Sequence, residues 1–502
     1  MPQKKTVQLP MNRVEGDLEV RLDISDGMVT DAWCSGIMYR GFENILIGRG
    51  PLDGLVITPR ICGICGTAHL MAAAQALEMI SDVVVPPEAI RLRNLALMVE
   101  KIQSDMRHGF LFFTPDFVNP RYKDEPLFEE AVRRYTPFKG ETVIQVIEHT
   151  KKIIEIIAII GGQWPHSSYM VPGGVTAAPS SGELLQCRYL LKRFKDWYER
   201  RILGCSLERW FQVKSASDLD HWLEEEKSHR DSELGFYIRF ARRIGLDKIG
   251  QGHGNFISFG LFESIRCAAA TTGQATGDSR PAGFAQGDLI LELNPENITE
   301  HVSHSWFTDQ PGGQHPFDSD TRPYATGQES QKYSWAKAPR YNNLPAETGP
   351  LAEAIISGDP LVKSLLQRNG PNVMLRELAR LIRSAELIAG MELCLMRTPE
   401  DAVFYQPPGP IPDGRGFGLL DATRGALSHW VIIEDGKIKR YQIITPTAWN
   451  ASPRDANGTR GPCEEALIGT KVQDISNPVE VGHVIRSFDA CLFCTVHVID
   501  LS

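Results

Sequence analysis

The pattern that most constrains this chain occurs twice. Arg60-Ile61-Cys62-Gly63-Ile64-Cys65-Gly66-Thr67-Ala68-His69 lies near the start and Asp489-Ala490-Cys491-Leu492-Phe493-Cys494-Thr495-Val496-His497 near the end, each a CxxC followed by a histidine. A CxxC turn can aim two sulfurs at one ion, and four thiolates suit a soft or borderline transition metal. If both pairs serve one site, the fold has to bring together segments more than four hundred residues apart, which favours one domain over 1–502. The plainer reading is a structural zinc site, but such modules usually close within a few tens of residues. A thioredoxin-like redox role would need a βαβ pattern, and neither pair has one. The other six cysteines, Cys34, Cys187, Cys205, Cys267, Cys394 and Cys463, read as small buried hydrophobes.

With 502 residues, 42% of them hydrophobic, the chain can bury a large core. A net charge of -9 leaves no basic footprint for phosphates, which excludes nucleic acid as the expected partner. No apolar stretch is long enough to span a bilayer, and the start, MPQKKTVQLPMNRVEGD, lacks a signal-peptide core. A cytoplasmic location is therefore expected, with any membrane attachment supplied by other subunits. Alternation over 7–32 around SDGMV predicts a hairpin. Helical periodicity follows in PPEAIRLRNLALMVEKIQSDMRHGFLFF, TVIQVIEHTKKIIEIIAII, the run from Gly182 to Val213, and NVMLRELARLIRSAELIAGMELCLM. The polar run QPGGQHPFDSDTRPYATGQESQKYSWAKAPRYNN reads as an ordered surface excursion, and HWVIIEDGKIKRYQIIT as a second hairpin. The expected class is α+β, predominantly helical: a long-helix bundle core flanked by small β-sheets from both ends. Its parts run over about 1–85 with the first CxxC, 86–415, and 416–502 with the second.

RICGICGTAH and DACLFCTVH resemble the two signature motifs of nickel-iron hydrogenase large subunits, and the likeness extends over nearly the whole chain. It implies that Cys62, Cys65, Cys491 and Cys494 bind nickel. Cys65 and Cys494 would also bridge to an iron carrying carbon monoxide and cyanide. NRVEGDLEV resembles the segment whose glutamate relays protons, here Glu15, which would receive the proton first taken by Cys494. Heterolytic cleavage of dihydrogen needs such groups, although from its own residues Glu15 reads as a solvated strand-edge carboxylate. YRGFENILIGR resembles a magnesium-binding segment, which would place Glu43, His497 and the carbonyl of Ile443 on that ion. Hard oxygen donors suit magnesium; otherwise Glu43 faces solvent and His497 is a core histidine. DATRGALSHW resembles the segment that sets an arginine, here Arg424, beside the open coordination position, with Asp105 and Asp489 holding it. GGQWPHSSYMVPGGV resembles a segment facing the partner's nearest iron-sulfur cluster, which makes His166 an interface residue. Ile64 and Phe112 match a gas-channel constriction that is bulky in oxygen-insensitive sensors, and core packing explains both equally well.

Two departures, Ala490 and Thr423 where the family commonly has proline, suggest a divergent branch. Five residues follow His497, either a short cleavable tail or an end that matures uncleaved. The resemblance implies oxidation of dihydrogen to protons and electrons. With no spare cysteine cluster for an electron wire, the electrons need an obligate iron-sulfur small subunit, and then a respiratory acceptor with quinone as the candidate. It also implies maturation proteins and a higher oligomer of heterodimers. The alternatives are a regulatory dihydrogen sensor with the same site, a structural zinc protein, and a noncatalytic quinone-module relative.

Overall fold

The computed structural model describes residues 4–260, 281–327, 331–395 and 402–495, the side chains of Lys4, Cys494 and Thr495 excepted. About 46% of the chain is helical, with small antiparallel sheets. Both expected hairpins form. Strands Lys4–Pro10, Leu18–Ser25 and Met28–Gly36 make the N-terminal sheet in sequence order. Its tight turn places Asp26 and Gly27 at φ 51° and 77°, as a type I′ turn requires. The C-terminal sheet joins Gly414–Ala422, Gly425–Glu434 and Lys437–Ile444, with Asp435 and Gly436 at φ 53° and 66° in the turn.

The middle strand of that sheet is buried along most of its length rather than alternating, because the helix Gly66–Ser81 packs onto the sheet. Contact there is backbone to backbone: a Cβ on Gly418 would lie 2.0 Å from the Ala72 carbonyl oxygen. The first CxxC, at the head of this helix, is thereby fixed to the sheet that leads toward the second.

Pro87–Arg107 and Val373–Cys394 are the two longest helices, nearly wholly buried and packed on each other. Glu141–Ile153, Ser181–Trp197 and Glu233–Arg243 lie around them. Proline at the first turn of Pro87–Arg107 and Asn372 capping Val373–Cys394 define their starts. Two periodic runs are broken where continuous helices were expected. TVIQVIEHTKKIIEIIAII divides at Ile154, where Thr150 Oγ1 donates back to the Val146 carbonyl at 2.6 Å, a bond that bends helices. The run after Gly182 stops at Gly204, φ 75°. Beyond Arg107 the helix widens into a π-type turn, His108–Phe113, a feature frequent at functional sites.

Between the two long helices runs a buried ionic chain. Asp105 accepts from Arg383 at 2.7 and 2.9 Å, both side chains only 1% exposed, and Arg383 and Lys101 share Glu353. The stretch 310–343 is a surface excursion only in part: Asp320 and Arg322 to Ala325 are exposed, whereas Ser319, Thr321, Lys332, Lys337 and Arg340 are buried. No helix among the described residues is long and apolar enough to cross a membrane.

The chain ends meet. Val29 N donates to Thr470 O at 3.0 Å, Val472 N to Gly27 O at 2.8 Å, and Leu492 N to Glu15 O at 2.6 Å. Removing one member of a buried ionic group leaves the others uncompensated, at about 3–5 kcal/mol. Asp105→Ala is accordingly expected to lower the thermal unfolding temperature of the intact protein by that order of destabilisation. A cost under about 1 kcal/mol, the range of an exposed pair, would show the group to be hydrated and dispensable.

Candidate metal centre

Cys62 and Cys65 lie in the turn between a short helical turn at Thr58–Arg60 and the helix Gly66–Ser81, with Cys65 at its N-cap position. Cys491 follows the left-handed Asp489, φ 52°. It is held by a parallel bridge to Glu15 and by its own N–H donating to Thr447 Oγ1 at 2.9 Å. The three cysteines form one buried cluster, exposed by 5%, 4% and 0% respectively. Cys62 Sγ and Cys491 Sγ are 3.8 Å apart, far beyond a disulfide of about 2.05 Å. That spacing matches two sulfurs each about 2.3 Å from one tetrahedral ion. Among the described residues no three donors close on one point; the Cys494 side chain and His497 lie outside the described atoms.

Two further features clamp the motifs together. Arg40 donates to the carbonyls of Ile61 and Phe493, one beside each pair. At Gly16, φ +82°, a Cβ would lie 3.0 Å from both Leu492 Cβ and Phe493 N, so glycine is needed for that close approach.

Arg424, in the turn between two strands of the C-terminal sheet, donates through Nε to the Asp489 carbonyl at 2.9 Å and is ion-paired with the same residue, Nε lying 3.0 Å from Asp489 Oδ1. Its NH1 is buried without a hydrogen-bond partner among the described residues. Burial works against its charge, but Asp489 and the nearby cysteines outweigh burial and raise its pKa. Burial also opposes ionisation of Asp489. Arg424 and His108, whose Nδ1 is 2.9 Å from Asp489 Oδ1, overcome this and hold the carboxyl well below the usual range. Glu15 goes the other way: burial pushes its pKa up against the pull of Arg424. A cavity of about 280 Å³ opens among these groups, lined by Glu15, Ile64, His108, Phe112, Arg424 and Asp489.

The expectation that Asp105 holds Arg424 is corrected. Both Asp105 oxygens are taken by Arg383, which faces it across the two long helices, and Arg383 reaches the neighbourhood of Arg424 only through the Thr423 carbonyl at 2.6 Å. Both proline departures fall where only the carbonyl is used: Thr423 O accepts from Arg383, and Ala490 O accepts from Glu15 N at 3.3 Å.

Glu43 and Ile443 are brought together, but through the Ile443 N–H, which donates to Glu43 Oε1 at 2.8 Å. Lys337 Nζ sits at 2.9 Å from the same oxygen, 3.0 Å from Glu300 Oε2 and 2.8 Å from Gln442 Oε1. Burial pushes the Glu300 carboxyl up to about 7, against Lys337. His166, φ 64° and half-buried, makes a 2.9 Å hydrogen bond between Nδ1 and the Pro59 carbonyl, three residues before Cys62. Arg40, His108, Glu300 and Lys337 were not anticipated. Arg40 lies within YRGFENILIGR, whose likeness singled out Glu43 alone; the other three lie in stretches without a motif spacing of their own, and only the fold brings them to these points.

A family description, nickel-dependent hydrogenase, matches residues 40–125 and 238–497. The periplasmic [NiFeSe] hydrogenase large subunit of Desulfomicrobium baculatum is 32% identical over 98% of this chain and 94% of that protein. The hydrogenase-2 large chain of Escherichia coli is 27% identical, covering 100% and 98%. The solved structure of the H2-activated Dm. baculatum [NiFeSe]-hydrogenase superposes with a TM-score of 0.83 at 31% identity, over 99% of this chain and 100% of that one. With the paired cysteines at the junction of its two ends, the chain belongs to the nickel-dependent hydrogenase family, as a large subunit.

Proposed function

We propose that this chain is the catalytic subunit of an uptake hydrogenase, which oxidises dihydrogen and passes the electrons to an iron-sulfur small subunit. The observation that carries this reading is the cavity in which Glu15, Arg424 and Asp489 meet Ile64 and Phe112 beside the buried cysteines. The donor set fits: soft sulfurs at metal-sharing distance, enclosed, with a fixed guanidinium nearby. A nickel-iron centre on Cys62, Cys65, Cys491 and Cys494, with Cys65 and Cys494 shared with an iron bearing carbon monoxide and cyanide, would supply heterolytic cleavage of dihydrogen and take up its electrons.

The chain's own groups do the rest. The Cys494 sulfur takes the first proton and a Glu15 carboxylate oxygen the next. Arg424, anchored by Asp489 and with NH1 unspent, presents fixed positive charge to whatever occupies the chamber. Asp105 acts at one remove, bracing the turn before Arg424 through Arg383 and the Thr423 carbonyl. Glu43, the Ile443 carbonyl and His497 hold magnesium; in support, Glu43 and Glu300 bring two carboxyls against the single ammonium of Lys337. His166, backed by the loop leading to Cys62, lies on the small-subunit face.

Accessory maturation proteins load the centre, and the heterodimers assemble further. The relative from Rhodobacter capsulatus is named an uptake hydrogenase large subunit and that from Wolinella succinogenes a quinone-reactive one, which supports a respiratory quinone as the acceptor. The complex is proposed to work in the cytoplasm, attached to the membrane through other subunits. The bulk of Ile64 and Phe112 in the chamber wall favours one second reading, a dihydrogen sensor with the same site.

Protein purified natively with its partners should carry about one nickel and about one iron per chain, with infrared bands of carbon monoxide and cyanide. Zinc alone without those bands would overturn the proposal, and slow dye reduction by a fully loaded complex would favour the sensor. Glu15→Gln should keep the metals and bands while dihydrogen oxidation falls about 10²- to 10⁴-fold; undiminished turnover would remove Glu15 from the proton route. Ile64→Val combined with Phe112→Leu should widen the chamber and speed inactivation by oxygen. Unchanged inactivation kinetics would mean that these side chains only pack.

A further inference from the structure

Asp489 holds the head of Arg424, and a second set of contacts holds its root. Arg424 stands in the two-residue turn Thr423-Arg424, closed by the pairing of Ala422 with Gly425. The strand Lys437–Ile444 pairs with the strand Gly425–Glu434 only from Ser428 onward. Short of that point, the buried Ala426 N–H donates instead to Thr348 Oγ1 at 2.8 Å. Space around the turn is closed as well. Gly425 has φ 116°, and a Cβ there would lie 2.4 Å from both Thr348 Oγ1 and Gly349 N.

Thr348 is itself fixed from two sides. Asn450 brackets its backbone, Oδ1 accepting from Thr348 N at 3.0 Å and Nδ2 donating to Thr348 O at 2.9 Å. The preceding residue, Glu347, exchanges backbone bonds with the strand Asn255–Ser258, its N–H donating to Asn255 O and its carbonyl accepting from Ile257 N, each at 2.9 Å. The Thr348 and Asn450 side chains are buried, where a hydrogen bond left unmade is costly. Asn450 ends the short helix Pro446–Asn450, and three residues earlier in that helix Thr447 Oγ1 accepts from the Cys491 N–H. One helical turn therefore reaches a cysteine of the cluster through Thr447 and the Arg424 turn through Asn450 and Thr348.

We infer that Thr348, oriented by Asn450, is a positioning residue that sets where the Arg424 guanidinium stands relative to the cysteine cluster. Arg383 pins the turn on one side of Arg424, through the Thr423 carbonyl, and Thr348 pins it on the other, through the Ala426 N–H. A shift of the backbone between those two points is carried along the side chain to the guanidinium. Fixed charge stabilises a developing charge only where it is aimed, and a misplacement of about 1 Å can cost about 10²-fold in rate.

The inference rests on the metal centre proposed above. Its test uses the complete complex and reads metal content, the infrared bands of the iron-bound diatomics, turnover and the crystal structure. Thr348→Val keeps the shape and removes the acceptor, whereas Thr348→Ser keeps the acceptor. Per nickel bound, Thr348→Val is expected to lower turnover about 10- to 100-fold and to shift the bands, with the turn Thr423–Gly425 displaced in the crystal. Thr348→Ser should stay near wild type in all three. In an Arg424→Ala background, Thr348→Val should produce no further band shift, because the group it positions is gone. If Thr348→Val yields no loaded protein, Thr348→Ala, which adds no bulk, carries the same comparison. Wild-type turnover and bands in the valine variant, a serine variant no better than valine, or a full further shift in the Arg424→Ala background would overturn the inference and leave Thr348 a packing residue. Wild-type protein lacking the bands would instead fail the proposed centre, and the position of the turn in the valine variant would then decide the inference alone.

Discussion

Everything at this site depends on a short stretch of backbone pairing between the chain's two ends. Glu15 donates to the Ala490 carbonyl and accepts from the Leu492 N–H, with Cys491 between. These bonds place the connection between the first two strands of the N-terminal sheet alongside the second CxxC, and Arg40 ties that CxxC to the first. Bonds of this kind contribute only about 1 kcal/mol each on balance. They hold because larger assemblies fix both partners: a three-stranded sheet on one side, and the helix Val479–Ser487 packed into the core on the other. The clasp is thus inexpensive locally and rigid globally, as a ligand set drawn from distant segments requires.

Around the clasp the interior is unusually ionic. Arg424 with Asp489, Arg383 with Asp105 and Glu353, and Lys337 with Glu43 and Glu300 are buried groups in which each charge has a partner. Such groups add little net stability compared with apolar packing, and they penalise misplacement heavily. Their value here is positional. Arg424 cannot swing away from the chamber without breaking its pair with Asp489, and the turn that carries Arg424 cannot slide without breaking the bond from Arg383 to Thr423.

The sequence made some of this legible and hid the rest, for definable reasons. Asp-Gly turns between alternating runs gave both hairpins, because the backbone conformation they need admits few residues. Long apolar periodicity gave the helices Pro87–Arg107 and Val373–Cys394 but not the break at Ile154, which a single threonine hydroxyl produces. The spacing of the cysteine pairs pointed to metal or redox chemistry, and only the likeness of RICGICGTAH and DACLFCTVH to the family motifs made it nickel and iron. Asp105 was assigned to the wrong arginine because position along a helix fixes the face a residue occupies, not which of several cations meets it there. Lys337 and Thr321 were hidden in a polar run that composition makes look exposed. They enter the interior because Glu43 and Glu300 are waiting there.

The clasp also imposes an order of events on biosynthesis. Translation proceeds at roughly 5–20 residues per second, and Cys491 lies more than four hundred residues after Cys65. The first pair of thiols therefore leaves the ribosome on the order of tens of seconds before the second exists. Throughout that interval they form half a site, soft and able to bind whatever divalent metal is at hand. In the finished arrangement Cys62, Cys65 and Cys491 are buried, at 5%, 4% and 0% exposure. On the proposed ligand set, loading falls between the arrival of the last cysteines and the closing of the clasp, and the early pair of thiols waits in the open until then.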